Sequence, residues 1–153
     1  MTSAPDIVVS SHDDLPQPES AIVDEGIGAY NDEAAPLHEV RPLSCFARDA
    51  QHRVVGGAVG RSWGAYAEIQ QLWVDPGSRG RGIGTTLMRA FEAHARTRGC
   101  RVFALETFSF QAREFYESLG YRIEWERRSY PHGIVKYHMT RHDDDAGAAA
   151  GRR

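Results

Sequence analysis

Residues 74–88 constrain this chain most, because they join the end of an apolar run to the start of a helix through a glycine-rich loop. The run ends at Val74, a turn of Asp-Pro-Gly-Ser fills positions 75–78, and glycines stand at 80, 82 and 84. Glycine lets a backbone approach a ligand closely, and the first amides of a helix lack intrahelical partners. Those amides also lie at the positive end of the helix dipole. The stretch therefore predicts a strand–loop–helix unit that binds a phosphorylated ligand.

The spacing within this loop separates it from two common phosphate-binding loops. A Rossmann loop would place Gly-x-Gly-x-x-Gly directly at the strand end, but here four residues intervene before Arg79, and Thr85 stands where the third glycine belongs. A P-loop needs a Lys after its last glycine, and none follows. Arg79 and Arg81 add bidentate donors suited to phosphate. The alternative is a tight turn in which the glycines serve geometry alone.

Length and charge exclude several classes of protein. The 153 residues suit one domain, and a net charge of −3 with a pI of about 6.1 argues against a large nucleic-acid interface. No apolar run approaches the length of a membrane span, and the first residues do not resemble a secretory signal, so we expect a cytoplasmic protein. Cys45 and Cys100 are too few for a disulfide scaffold and are expected to be structural. The seven histidines are scattered, which predicts no metal.

Hydrophobic periodicity predicts an α/β (α+β) fold with a mixed, mostly antiparallel sheet flanked by helices in a single domain. The consecutive strands before the loop suggest a meander, and the unit from residue 65 to 105 should pair its two strands in parallel. Residues 1–18 are expected to be a mobile segment with a short strand at 7–9, residues 19–141 the folded domain, and residues 142–153 a disordered tail. The expected elements are a helix capped by Ser20, strands at 39–48, 53–61 and 65–74, a helix from 83, a strand at 101–105, a helix at 112–119, and strands at 121–129 and 134–140.

Three segments together resemble the GNAT superfamily of N-acetyltransferases. Residues 79–84 match its Arg/Gln-x-x-Gly-x-Gly/Ala motif, and residues 67–76 resemble its central strand and the turn that follows. Residues 112–121 resemble its second signature, A-x-x-F-Y-x-x-x-G-F/Y. The resemblance covers about residues 20–141 and implies a GNAT-like sheet with acetyl-CoA as cosubstrate and no metal.

The resemblance also implies which residues bind acetyl-CoA. The last residues of the strand before the loop, Leu72, Trp73 and Val74, would bind pantetheine through backbone groups left unpaired where two strands splay apart. Ser109 occupies the place of an Asn found in many members, and its hydroxyl could replace that contact. The pyrophosphate would lie on the amides of Arg79, Gly80, Arg81, Gly82, Ile83, Gly84 and Thr85.

Two catalytic roles follow from the same resemblance. Tyr116 occupies the position of the usual general acid, and a phenol is a credible proton donor to a thiolate; the alternative is a core tyrosine. Glu68 matches a position where several members keep a general base, and an amine needs one because it is mostly protonated near pH 7. The alternative for Glu68 is a surface side chain, and Glu106 is a second candidate that could equally bind a cationic substrate.

The implied activity is transfer of acetyl from acetyl-CoA to a primary amine by direct attack in a ternary complex. A small-molecule acceptor (a polyamine, an amine metabolite or an amino-bearing antibiotic) is favoured, because the chain shows no accessory peptide-binding segment. The alternatives are a protein lysine or N-terminal acetyltransferase and a non-catalytic acyl-CoA-binding module. Neither nucleic acid nor membrane is an expected partner, and a homodimer is one expected state because dimers are common in the family.

Overall fold

A computed structural model of the protein describes residues 6–143, and these fall into two compact units, residues 6–38 and residues 39–143. In the first unit, residues 6–16 have no regular structure and α1 runs from Gln17 to Ala34. The predicted strand at 7–9 is wrong, because no strand among the described residues pairs with it. The predicted cap is also wrong: α1 begins after Pro16, and Ser20 donates its backbone amide to the Pro16 carbonyl within the first turn.

The second unit contains a six-stranded sheet and two helices within the described residues. The elements are β1 (Arg41–Arg48), β2 (Val54–Trp63), β3 (Tyr66–Val74), α2 (Ile83–Thr97), β4 (Val102–Phe108), α3 (Arg113–Ser118), β5 (Arg122–Arg127) and β6 (Lys136–His142). The sheet order is β1-β2-β3-β4-β6-β5, and the neighbours β3 and β4 are parallel while every other pair is antiparallel. The predicted mixed, mostly antiparallel α/β fold and its element order are confirmed.

Helix α2 packs against β1, β2 and β3 and supplies the centre of the core. Its apolar stripe repeats every three or four residues, so Leu87, Met88, Phe91 and Ala95 are all buried on one side. They join buried side chains from the sheet in one cluster, which removes a large apolar area from water. None of the helices in residues 6–143 has the length and apolar character to cross a membrane.

A fully buried carboxylate ties α2 to the far side of the sheet. Glu92 is 0% exposed and accepts hydrogen bonds from Arg89, Arg96, Arg141 and the hydroxyl of Tyr121. A buried charge is tolerated only when it is paired and hydrogen-bonded, and here both carboxylate oxygens have donors. This network ties α2 to β6 through Arg141 and to the residue before β5 through Tyr121.

The end of β6 extends beyond the boundary predicted for the tail. His142 is the last residue of β6, and Asp143 accepts two hydrogen bonds of 2.8 Å from Arg96. The rest of the predicted tail, residues 144–153, and residues 1–5 of the predicted mobile segment lie outside the described residues.

The middle of the sheet contains a bulge in β3 and a place where β3 and β4 splay apart. Val59 pairs with Gln71 and Gly60 with Ile69, which leaves Gln70 without an opposite residue in β2. On the other edge, β3 pairs with β4 only from Tyr66 to Ile69. Beyond Ile69 the two strands diverge, so the backbone of residues 70–74 has no neighbour on the β4 side.

Candidate active site

The loop between β3 and α2 has the geometry that its glycines predict. A short 3₁₀ turn at Pro76–Ser78 follows β3, with the Asp75 carboxylate accepting the Gly77 amide. Gly82 is the N-cap of α2 with φ of 75°, and Gly80 has φ of 79°. Residues that carry a side chain rarely adopt such positive φ values, so both positions require glycine for their backbone conformation. No side chain caps the helix, which leaves its first amides directed at the loop's ligand space.

The third glycine has a different purpose. Gly84 lies inside α2, where an added Cβ would come within 3.3 Å of the Phe115 ring. This glycine therefore lets α3 approach the amino end of α2 closely. Arg79 is oriented by a 3.0 Å hydrogen bond from its Nε to the Val74 carbonyl, which anchors a guanidinium beside the loop.

A cavity of about 380 Å³ begins at this loop and runs along the end of β3. Nine of the predicted cofactor-binding residues line it, together with Tyr116 from α3. Its lining residues are Leu72, Trp73, Val74, Arg79, Gly80, Gly82, Ile83, Gly84, Thr85, Ala112, Phe115 and Tyr116. The structure thus brings the predicted phosphate loop, the strand end and the predicted acid into one wall.

A second cavity of about 190 Å³ occupies the splay between β3 and β4. Leu72 and Tyr116 line both cavities, so the two are neighbours, one at the helix end and one in the gap between the strands. Glu106 and Gln111 line the second cavity as well. We name this combined space the splay cleft.

The Tyr116 ring packs in the core, and the residue also lines the splay cleft. Its side chain is 8% exposed and packs edge-on against Phe115, with ring centroids 5.2 Å apart. Burial raises the pKa of Tyr116 above its usual value, so the phenol keeps its proton at neutral pH. The core and acid interpretations of this residue are compatible, because a packed ring can carry a hydroxyl that reaches the cleft.

The two candidate bases lie on the same face of the sheet but differ in their partners. Glu68 accepts a 2.9 Å bond from Arg61 on β2 and does not line the splay cleft. Glu106 lies within β4, which continues to Phe108 rather than ending at residue 105, and it lines the cleft with Tyr116. Lys136 contacts its Oε2 at 2.6 Å and lowers the pKa of Glu106, so that carboxylate is ionised at neutral pH.

Two predicted cofactor contacts lie outside the splay cleft. Arg81 lines a neighbouring depression with Asp49 and Arg53. The Ser109 hydroxyl accepts the Val135 amide at 3.0 Å, and its own amide donates to the Val135 carbonyl, so Ser109 closes the end of the β4–β6 ladder.

Gln111, two residues after Ser109, is the side chain that sequence reasoning missed at this place. Its Oε1 accepts the Phe108 amide at 2.8 Å, and the residue lines the cleft beside Tyr116. The sequence signal for Gln111 was a polar residue between the end of a strand and the start of a helix.

Comparisons with known proteins agree with this geometry. The sequence model of the acetyltransferase (GNAT) family matches residues 11–121. A blasticidin-S acetyltransferase from Streptomyces morookaense is 37% identical over 110 residues, which are 69% of this chain and 81% of that protein. The crystal structure of an acetyltransferase from Bacillus cereus aligns with a TM-score of 0.72 and 26% identity, over 87% of this chain and 97% of that one.

A fourth comparison concerns the fold alone. An aminoglycoside 6′-N-acetyltransferase complexed with coenzyme A aligns with a TM-score of 0.60 and 21% identity, over 67% of this chain and 73% of that chain. The chain belongs to the acetyltransferase (GNAT) family, and it is an acyltransferase that uses acetyl-CoA. The resemblance drawn from the three sequence motifs is confirmed.

Proposed function

We propose that this protein transfers acetyl from acetyl-CoA to a primary amine of a small molecule, with an amino-bearing antibiotic as the first class of acceptor to test. The observation that carries the proposal is the splay cleft, which sets the uncapped amino end of α2 beside a gap lined by a protonated phenol and an ionised carboxylate. The similarity to a blasticidin-S acetyltransferase supports the choice of acceptor class.

In this proposal the chain's residues divide into a binding end and a reacting end. The pyrophosphate lies on the first amides of α2 beside Arg79, and the pantetheine arm follows the unpaired backbone of Leu72, Trp73 and Val74. Such an arm carries amide groups that can satisfy strand donors and acceptors. The thioester then reaches the splay, where Tyr116 and Glu106 line the wall. Contacts from Arg81 and Ser109 stay predictions.

Acyl transfer at that end needs proton removal from the nitrogen and proton delivery to the sulfur. Glu106 takes one proton from the acceptor ammonium, the freed amine attacks the thioester carbonyl, and Tyr116 donates its proton to the departing thiolate. The second proton that the nitrogen loses on forming the amide returns Tyr116 to its protonated state. Glu106 is preferred to Glu68 because it lines the cleft, whereas Arg61 holds Glu68 away from it. A direct attack fits the cysteines: burial raises the pKa of both Cys45 and Cys100, which disfavours a thiolate nucleophile.

The test is turnover of acetyl-CoA against a panel of blasticidin S, an aminoglycoside, spermidine and a lysine-containing peptide, with product detected by mass spectrometry. We expect an acetylated product from at least one free amine and none above background from the peptide. Faster turnover of the peptide would favour a protein acceptor and contradict the proposal. An acetylated cysteine or serine trapped on the enzyme would contradict direct attack. The cytoplasmic location and the homodimer stay predictions.

A further inference from the structure

His138 stands between two carboxylates on the sheet face that carries Glu106. It pairs in register with Glu106 of β4 on one side and with Trp125 of β5 on the other. Its Nδ1 lies 3.7 Å from Glu106 Oε1, and its Nε2 lies 3.7 Å from Glu124 Oε2. The two nitrogens of one imidazole therefore face two different carboxylates.

Local structure holds this ring in place. The imidazole stacks flat on the Trp125 indole, with centroids 5.3 Å apart and planes within 1°. β5 has a bulge between Ile123 and Trp125, so Glu124 has no opposite residue in β6 and its carboxylate can reach the histidine.

The buried side of the ring has no hydrogen-bond partner. Nδ1 is shielded from solvent and makes no hydrogen bond, although a carboxylate oxygen faces it. A carboxylate and an imidazole lone pair both accept, so a proton placed between them would satisfy both atoms. The Nε2 side of the ring is close to solvent, because the Glu124 side chain that faces it is 49% exposed.

We propose that His138 relays the acceptor's proton from Glu106 to Glu124 and so to solvent. This inference rests on the proposed function, with Glu106 as the base. Glu106 takes the proton from the acceptor ammonium and passes it to Nδ1 of neutral His138. His138 then releases its Nε2 proton to the Glu124 carboxylate, which gives it to water. Each group ends the cycle in its starting state once the ring returns to its first tautomer.

The relay returns Glu106, which Lys136 holds in an ion pair, to its ionised state after it has taken the acceptor's proton. Lys136 keeps Glu106 ionised and ready to accept a proton, yet the acceptor seated against the carboxylate would restrict its contact with water. A proton path through His138 on β6 and Glu124 on β5 lets Glu106 lose its proton while product still occupies the cleft. His142, whose Nε2 lies 3.9 Å from Glu124 Oε1, adds a further exposed group at the outer end.

The test compares three variants in steady-state acetylation of the best amine from the panel. His138→Phe keeps a ring on Trp125 but removes both nitrogens, His138→Ala leaves space for added imidazole, and His94→Phe on the exposed side of α2 is the matched control. We expect kcat to fall about 10- to 100-fold in both His138 variants, with KM for acetyl-CoA unchanged. Added imidazole should restore part of the activity of His138→Ala, and the control should match wild type.

The possible failures are distinguishable. Wild-type protein that acetylates no amine contradicts the proposed function. Active wild-type protein together with an unchanged kcat in His138→Phe contradicts the relay alone. A loss of kcat in His138→Ala that imidazole does not restore also contradicts the relay, since the ring would then serve only to pack on Trp125.

Discussion

Two glycines at opposite ends of α2 allow the phosphate loop to be tested with a matched control. Gly82 caps the amino end with φ of 75°, and Gly99 follows the carboxyl end with φ of 90°. An added Cβ meets nothing within 4 Å at either position, so Gly82→Ala and Gly99→Ala change backbone strain and not packing. Both substitutions therefore introduce similar strain into the native backbone.

The magnitude follows from the left-handed conformation. An alanine held there costs about 1–2 kcal/mol, which corresponds to a fall in Tm of roughly 2–8 °C for a chain of this size. The ligand-free loop can relieve that strain at position 82 by shifting, so Gly82→Ala should lose less stability than Gly99→Ala, but the bound loop must restore the alignment of its amides. The same 1–2 kcal/mol then opposes binding, so CoA should bind Gly82→Ala about 5- to 30-fold more weakly.

Isothermal titration of CoA, together with thermal unfolding of both variants, measures the two effects. We expect Gly99→Ala to lose stability and retain wild-type affinity for CoA, because that residue lies at the far end of the helix. Equal affinity of CoA for the two variants would refute the assignment of the pyrophosphate to the amino end of α2.

Three further predictions concern the acid, the base and the buried network. Tyr116→Phe removes the proton donor and should lower kcat about 100-fold while leaving the affinity for CoA within about twofold; a larger effect on affinity than on kcat would assign the hydroxyl to binding. Lys136 lowers the pKa of Glu106, so Lys136→Met should raise that pKa and move the acid limb of kcat/KM to higher pH, and an unmoved limb in the pH profile would contradict Glu106 as the base. Glu92→Gln removes the buried charge that accepts from Arg89, Arg96 and Arg141; because these arginines keep partial contact with solvent, it should cost about 1.5–3 kcal/mol of unfolding free energy, whereas Glu117→Gln in an exposed pair should cost less than about 1 kcal/mol; chemical denaturation that gave equal losses would contradict the network.

The elements whose signals are local were predictable from sequence. The stripe of Ile83, Leu87 and Phe91 marks α2 by its period, and the turn residues before it mark where β3 ends. The same short stretch also predicts glycine where the loop backbone requires it. Because phosphate loops depend on one turn and one helix end, nine of the predicted cofactor-binding residues line one cavity.

Features that depend on pairing between distant strands were not predictable in the same way. β4 continues through Glu106 to Phe108 because β6 pairs with it from residue 136 to 142, a contact that no periodicity within β4 reveals. The bulge at Gln70 did leave a trace in the sequence: an added Cβ on Gly60 would come within 1.8 Å of the Glu68 carbonyl, and a glycine inside a strand indicates such a close approach.

The choice of base and the histidine relay belong to this second kind of feature. Glu68 and Glu106 lie on different strands, and only the register of β3 against β4 and of β4 against β6 decides which carboxylate reaches the cleft. His138 is 32 positions from Glu106 in the chain and opposite it in the sheet. Sequence spacing therefore predicted the acetyl-CoA side of the site in more detail than the acceptor side.

A crystal structure with bound acetyl-CoA would test the central claim most directly, because the claim assigns each part of the cosubstrate to a place in the splay cleft. We predict pyrophosphate oxygens within about 3 Å of the first amides of α2, and the thioester between β3 and β4 beside the Tyr116 hydroxyl. The claim would be contradicted by a pyrophosphate bound away from Gly82 and Gly84, or by a thioester that lies outside the gap between these two strands.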